Sequence, residues 1–254
     1  MATNTITESR IGSLVGSIIG TATTVQAPIS AAQASAQLGL TLGGLYLCRD
    51  ASGSLVDVLG GTSLAAVGSP AYAASVGDRI GVRYPAASGH GADVAALGTA
   101  SGWYGAIFTI SDAKLATPGI TGRSNAAFTR CAEIYAQMAG ANWTIQIRDG
   151  ALSASPSGTT NVGAGTWLAQ LQIDRAAAMA RGRMTQIGTG RSEQIAASIA
   201  GFATLDGVGL VYGFGAPAGI FTGGVSVGWG AWATGVQCEG ATFLATTAQR
   251  MGVE

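Results

Sequence analysis

The chain has 254 residues, 40 of them glycine; 48% are hydrophobic, only 10% are charged, and 13 basic residues balance 13 acidic ones. That length suits a single large all-β domain, the lack of 18 consecutive apolar residues argues against a membrane span, and the scattered Lys and Arg form no patch for nucleic acid. One His, one Lys and singly spaced carboxylates leave little titratable chemistry to assemble, and a net charge of zero leaves little repulsion between copies of the chain.

Residues 1–40 read as an N-terminal arm. Ile11, Leu14, Val15, Ile18 and Ile19 fall on one helical stripe. Thr5-Ile6-Thr7-Glu8 has the spacing of a capping box, and Gly12, Gly16 and Gly20 lie on another face. Three glycines cost such a helix about 1 kcal/mol each, so it needs a neighbour to pack against; an extended arm is the alternative. Arg10 followed by Ile11–Ile19 has the outline of a signal peptide, but Glu8 and the interspersed Gly and Ser weaken it, so the segment is taken as mature sequence of a protein made in a cytoplasm. After Pro28, the alanines 31, 32, 34 and 36 suggest a second short helix, with Gly39 as its cap.

From position 41 onward the pattern changes to strands. These are expected at Leu45–Cys48, Leu55–Val58, Arg79–Tyr84 and Ala106–Ile110, divided by Gly, Ser and Asp turns. Asn125–Met138 has helical spacing of Phe128, Cys131, Ile134 and Tyr135. Trp143–Arg148, Asp149-Gly150 and Ala151–Ala154 form the clearest hairpin, followed by strands at Trp167–Asp174 and Arg183–Gly188. Later strands are expected at Gly209–Tyr212, Phe221–Trp229 and Gly240–Leu244, with a terminal turn at Thr246–Met251. Cys48, Cys131 and Cys238 are far apart with no CxxC, which points to buried, reduced thiols rather than zinc or redox chemistry.

The order of these features carries a resemblance. Leu45-Tyr46-Leu47, Ala51 to Asp57, Gly77 to Val82 and Phe108 to Ser111 resemble the opening of a laminin-G-like domain. Asp149-Gly150, Gly165-Thr166-Trp167 and Asp174-Arg175 resemble its middle. The resemblance covers about residues 40–250 and implies an all-β, antiparallel jelly-roll sandwich of the concanavalin-A-like type over 41–254. The family's common Trp-His-His is here Trp167-Leu168-Ala169. Many members bind calcium at the sandwich rim; Asp57, Asp174 and Asp206 are candidates only, since an isolated Asp beside Gly is more simply a turn former. No cofactor is expected.

Some enzymes of this architecture cleave polysaccharides with two facing carboxylates. Glu133, Glu193 and Glu239 have no acidic neighbour two or four positions on, and His90, in a Gly-rich stretch, reads as a polar loop residue, so no catalytic residue is assigned. Trp103, Tyr104, Trp229 and Trp232 are candidates for stacking on a glycan, weighed against a place in the core. Two functional expectations follow. One is a structural virion component (capsid decoration, fibre or tail-associated), assembled in a host cytoplasm with sister copies and other virion proteins through Ile11, Leu14, Val15, Ile18 and Ile19. The other is a glycan-binding adhesion module at a cell surface or outside the cell.

Overall fold

The computed structural model describes residues 32–33, 36, 40–50, 52–85, 87–94, 100–110, 119–125, 127, 129–137, 142–202, 211–215 and 224–235. The expected assembly residues Ile11, Leu14, Val15, Ile18 and Ile19, together with Asp206, Cys238, Glu239 and the segments 240–244 and 246–251, lie outside them. Ala32, Gln33 and Ala36 carry helical backbone; no helix among the described residues is long and apolar enough to cross a membrane.

The described residues form fifteen strands joined by turns: β1 Thr41–Leu47, β2 Ala65–Val67, β3 Ala71–Val76, β4 Arg79–Tyr84, β5 Gly89–Asp93, β6 Gly102–Ile110, β7 Gly119–Ser124, β8 Arg130–Gln137, β9 Asn142–Asp149, β10 Leu152–Ala154, β11 Trp167–Asp174, β12 Met179–Gln186, β13 Ser192–Ser198, β14 Val211–Gly215 and β15 Val225–Thr234. They form two antiparallel sheets. The larger runs β13-β12-β11-β6-β15-β4-β3, with β1 sharing the edge of β15 that β4 also uses; the smaller runs β10-β9-β8-β7-β14-β5-β2. The hairpin at Asp149-Gly150 joins β9 to β10, with Gly150 at φ +61° as the turn demands.

The sheets face each other across one core. Tyr46, Tyr104, Phe108, Trp167, Leu171 and Trp232 of the larger sheet meet Ile134, Trp143, Ile145, Ile147, Tyr212 and Phe214 of the smaller. A second apolar cluster lies on the outward face of the larger sheet, where Leu45, Leu47, Trp103, Ile107, Leu168 and Trp229 are buried as well. Central strands buried on both faces lose the apolar–polar alternation of a half-exposed strand.

The same effect explains a misread element. Asn125–Met138 contains no helix among its described residues; β8 runs from Arg130 to Gln137. Ala132, Ile134 and Ala136 point into the core while Cys131, Glu133 and Tyr135 occupy the other face, also buried. Apolar residues on both faces of a strand satisfy helical spacing by coincidence. Leu55–Val58 forms isolated bridges, Tyr46 to Asp57 and Leu55 to Leu64, rather than the expected strand. Cys48 and Cys131 are free and buried.

Among the described residues the core contains one cation. Arg123, on β7, is 1% exposed, and its guanidinium lies 5.2 Å from the Trp232 ring and 5.9 Å from that of Tyr104. Burying such a charge costs several kcal/mol; the electron-rich faces of rings carried by the opposite sheet offset part of that cost.

Candidate functional site

The described aromatic candidates are core residues. Trp103, Tyr104, Trp229 and Trp232 are 0, 1, 3 and 7% exposed. Trp103 and Trp229 pack into the outward cluster of the larger sheet, and the Trp103 indole N–H donates to Gln170 Oε1 at 3.3 Å. Tyr104 and Trp232 cover Arg123 between the sheets. No ring of the four presents a face to solvent, which corrects their reading as a stacking platform.

The other singled-out polar residues serve the fold. His90 lies in β5 rather than a loop, fully buried. Its Nδ1 is 3.1 Å from the Tyr84 hydroxyl, and its Nε2 is 2.8 Å from Gly53 O and 3.2 Å from the Tyr72 hydroxyl. Burial lowers its pKa, favouring the neutral ring. Asp57 Oδ1 accepts from Leu45 N and Leu59 N, and Asp174 accepts from Ala177 N and Arg181 Nη1. Both brace turns, and no cluster of three potential metal ligands exists among the described residues. The resemblance's calcium therefore finds no ligand set there.

Glu193 is a latch. From β13 it turns inward and accepts from Trp143 Nε1, Thr159 N and Thr160 N, each at 2.8 Å, and from Thr159 Oγ1 at 2.9 Å. These donors outweigh the desolvation that opposes them and hold its carboxyl down at about 2.

Glu133 is the exception. Because Ala132 and Ile134 face the core, Glu133 projects from the outer face of the smaller sheet. Strand register sets it at the end of a row of small residues running across the sheet. Ala65 pairs with Gly91, Gly91 with Gly213, Gly213 with Gly122, Gly122 with Glu133, and Glu133 with Gln146. Three adjacent strands thus contribute glycine at one level, and their missing side chains leave a trough. A shallow depression lies there, lined by Gly119, Ile120, Thr121, Gly122, Glu133, Ile134, Gly213 and Gly215.

The glycines are required where they stand. A Cβ on Gly122, whose φ is +144°, would meet Ala132 O at 2.3 Å and Glu133 Cα at 2.6 Å; one on Gly213 would meet the His90 carbonyl oxygen at 1.8 Å.

Glu133 is 2% exposed, and its Oε2 has no hydrogen-bond partner. Burial pushes its carboxyl up to about 8, with Ser124 a small opposing influence, so at neutral pH it is mostly the neutral acid, a hydrogen-bond donor as well as an acceptor. On the same face Gln146 donates to Ser153 Oγ at 3.0 Å and Thr144 shares a hydrogen bond with Ser157 at 2.8 Å. Sequence spacing gives Glu133 no catalytic part, because no acidic residue lies two or four positions on. The signal that could have found it is the recurrence of Gly at one level of three strands, which is visible only once register is known.

No protein-family model matches the sequence, and no curated protein does. Solved structures share the fold. The receptor-binding domain of a botulinum neurotoxin C/D mosaic serotype superposes with a TM-score of 0.55 at 7% identity, over 83% of this chain and 51% of that one. A GH54 α-L-arabinofuranosidase gives 0.52 at 9%, over 88% and 65%, and a Trypanosoma rangeli sialidase 0.52 at 13%, over 82% and 33%. The chain therefore spans between a third and two thirds of the length of these proteins, and at such identities the likeness is one of fold.

Proposed function

We propose that this chain is a non-enzymatic binding module whose outer trough on the smaller sheet recognises an uncharged, hydroxyl-rich ligand, a glycan. The observation that carries the reading is the buried Glu133 Oε2, unpartnered at the end of a glycine-floored trough. A neutral carboxylic acid can both donate to and accept from sugar hydroxyls. The depression is too shallow to enclose a ligand, which suits an extended chain lying across the strands rather than an engulfed small molecule. Two of the similar structures, the arabinofuranosidase and the sialidase, are named for work on sugars, and the neurotoxin domain for receptor binding. Hydrolysis by the usual route needs a second carboxylate across the bond; the row through Glu133 carries only Gly, Ala and Gln.

The test is a panel of neutral oligosaccharides titrated into the full chain by NMR and calorimetry, alongside Glu133→Ala. Saturable binding without release of new reducing ends, weakened about tenfold or more in the variant, supports the reading. No binding across the panel, or binding indifferent to the substitution, overturns it. A role in a virion or other particle is a separate proposal, motivated by the apolar stripe Ile11, Leu14, Val15, Ile18 and Ile19. Deleting residues 1–40 should then abolish incorporation while leaving the sandwich folded, and normal incorporation of the shortened chain would refute it.

A further inference from the structure

Among the described residues the edge strands β1, β2, β3, β10 and β13 are not alike, and β1 is bulged between Leu42 and Gly44. A sheet edge exposes unpaired backbone N–H and C=O groups and is ordinarily kept short, bulged, charged or interrupted by proline to prevent pairing with another chain. β2 and β10 have three residues each. β3 is bulged between Ala71 and Ala74, with Ala73 at φ +57°. β13 has none of these devices. It pairs with β12 in unbroken register over seven residues, Ser192-Glu193-Gln194-Ile195-Ala196-Ala197-Ser198, without Lys, Arg, Pro or Gly. Its one charge, on Glu193, is turned inward to Trp143, Thr159 and Thr160.

Register also tells which backbone groups face away from β12. Gln186 N donates to Arg191 O, and Ile199 N to Ala178 O, at the two ends of the β12–β13 ladder. Hydrogen-bonded pairs alternate along an antiparallel ladder. Glu193, Ile195 and Ala197 therefore bond to β12, and Ser192, Gln194, Ala196 and Ser198 direct their backbone groups away from the sheet.

We propose that β13 is an association edge that pairs antiparallel with β13 of a second copy of this chain about a two-fold axis at Ile195, joining the two larger sheets into one. The sequence is complementary to itself in that register. Ser192 meets Ser198, Glu193 meets Ala197, Gln194 meets Ala196 and Ile195 meets its own copy, so no like charges face each other. The four outward-directed residues pair among themselves, each exchanging its N–H and C=O with the partner's, as an isologous contact requires. Nearby Arg181 is neutralised by Asp174 at 3.0 Å, and the chain's zero net charge opposes association little. The inference is independent of glycan binding.

Sedimentation velocity of the full chain over a wide concentration range, with Ala196→Pro and Ala196→Lys, tests it. Proline at 196 removes an outward N–H and no bond to β12; lysine adds charge to the edge. The expected result is a reversible dimer whose dissociation constant rises about tenfold or more in both variants, with unchanged far-ultraviolet circular dichroism. Slowed amide exchange at Gln194 and Ala196 should appear in the wild-type dimer alone. If Ala196→Pro fails to fold, Ala196→Lys decides. A wild-type monomer at every concentration, or a dimer of undiminished strength in a folded variant, overturns the proposal; the second result combined with loss of association on deleting residues 1–40 would assign self-association to the arm.

Discussion

Two glutamates on strands of the same sandwich have opposite fates. Glu193 is half-buried on the larger sheet and surrounded by donors from Trp143, Thr159 and Thr160, and its carboxyl is held at about 2. Glu133 is almost wholly buried on the smaller sheet, where Gly122 pairs with it and Ser124 alone opposes the desolvation, and its carboxyl is pushed to about 8. Burial raises a carboxyl's pKa only as far as hydrogen bonds to the charged form fail to compensate. The difference separates a group the fold uses from a group the fold leaves available.

That contrast can be broken at several points. The largest effect is expected from Gly122→Ala. A methyl group directed at Ala132 O and the Glu133 backbone from a residue at φ +144° combines steric overlap with backbone strain, at about 3–5 kcal/mol, seen as a large drop in the denaturation midpoint. Glu133 comes next, through pH. The folded chain keeps this proton up to about 8, while the unfolded chain loses it near 4.5. Its contribution is therefore fully present below 4.5 and lost as pH rises to about 8, about 5 kcal/mol at most. Glu133→Gln should abolish that alkaline loss, measured as denaturant midpoints from pH 4 to 9.

Glu193→Ala strands the Trp143 indole and two backbone N–H groups and should cost about 2 kcal/mol at neutral pH. The sign of its pH dependence is the reverse of that for Glu133: the contribution is complete above 4.5 and is lost as pH falls through about 2. The stability gap between wild type and variant, read from denaturant midpoints, should thus close as pH falls from 4.5 toward 2. The smallest effect belongs to Thr159→Val, which removes one exposed hydroxyl donor to Glu193 and should lower stability by about 0.5–1 kcal/mol.

Much of the architecture was legible because local chemistry and tertiary setting agree. The Asp149-Gly150 hairpin and the alternation in Trp167–Asp174 specify β9, β10 and β11 directly. β8 was ambiguous because both its faces are buried, and β13, with Ala and Ser at most positions, carries little periodic signal of any kind. The trough was hidden for a different reason. Gly91, Gly122 and Gly213 are far apart in a chain with 40 glycines, and only long-range strand pairing brings them to one level beside Glu133. The aromatic candidates stood out in sequence for the size and apolarity that also make them good core residues, so the same signal supported both readings until burial separated them.

The most direct test of this account is a pH titration of the Glu133 side-chain carboxyl carbon by NMR in the intact chain, assigned by its disappearance in Glu133→Gln. A midpoint near 8 is predicted for a buried carboxyl with an unpartnered oxygen at the trough floor. A midpoint near 4.5, the value of a solvated glutamate, would contradict it.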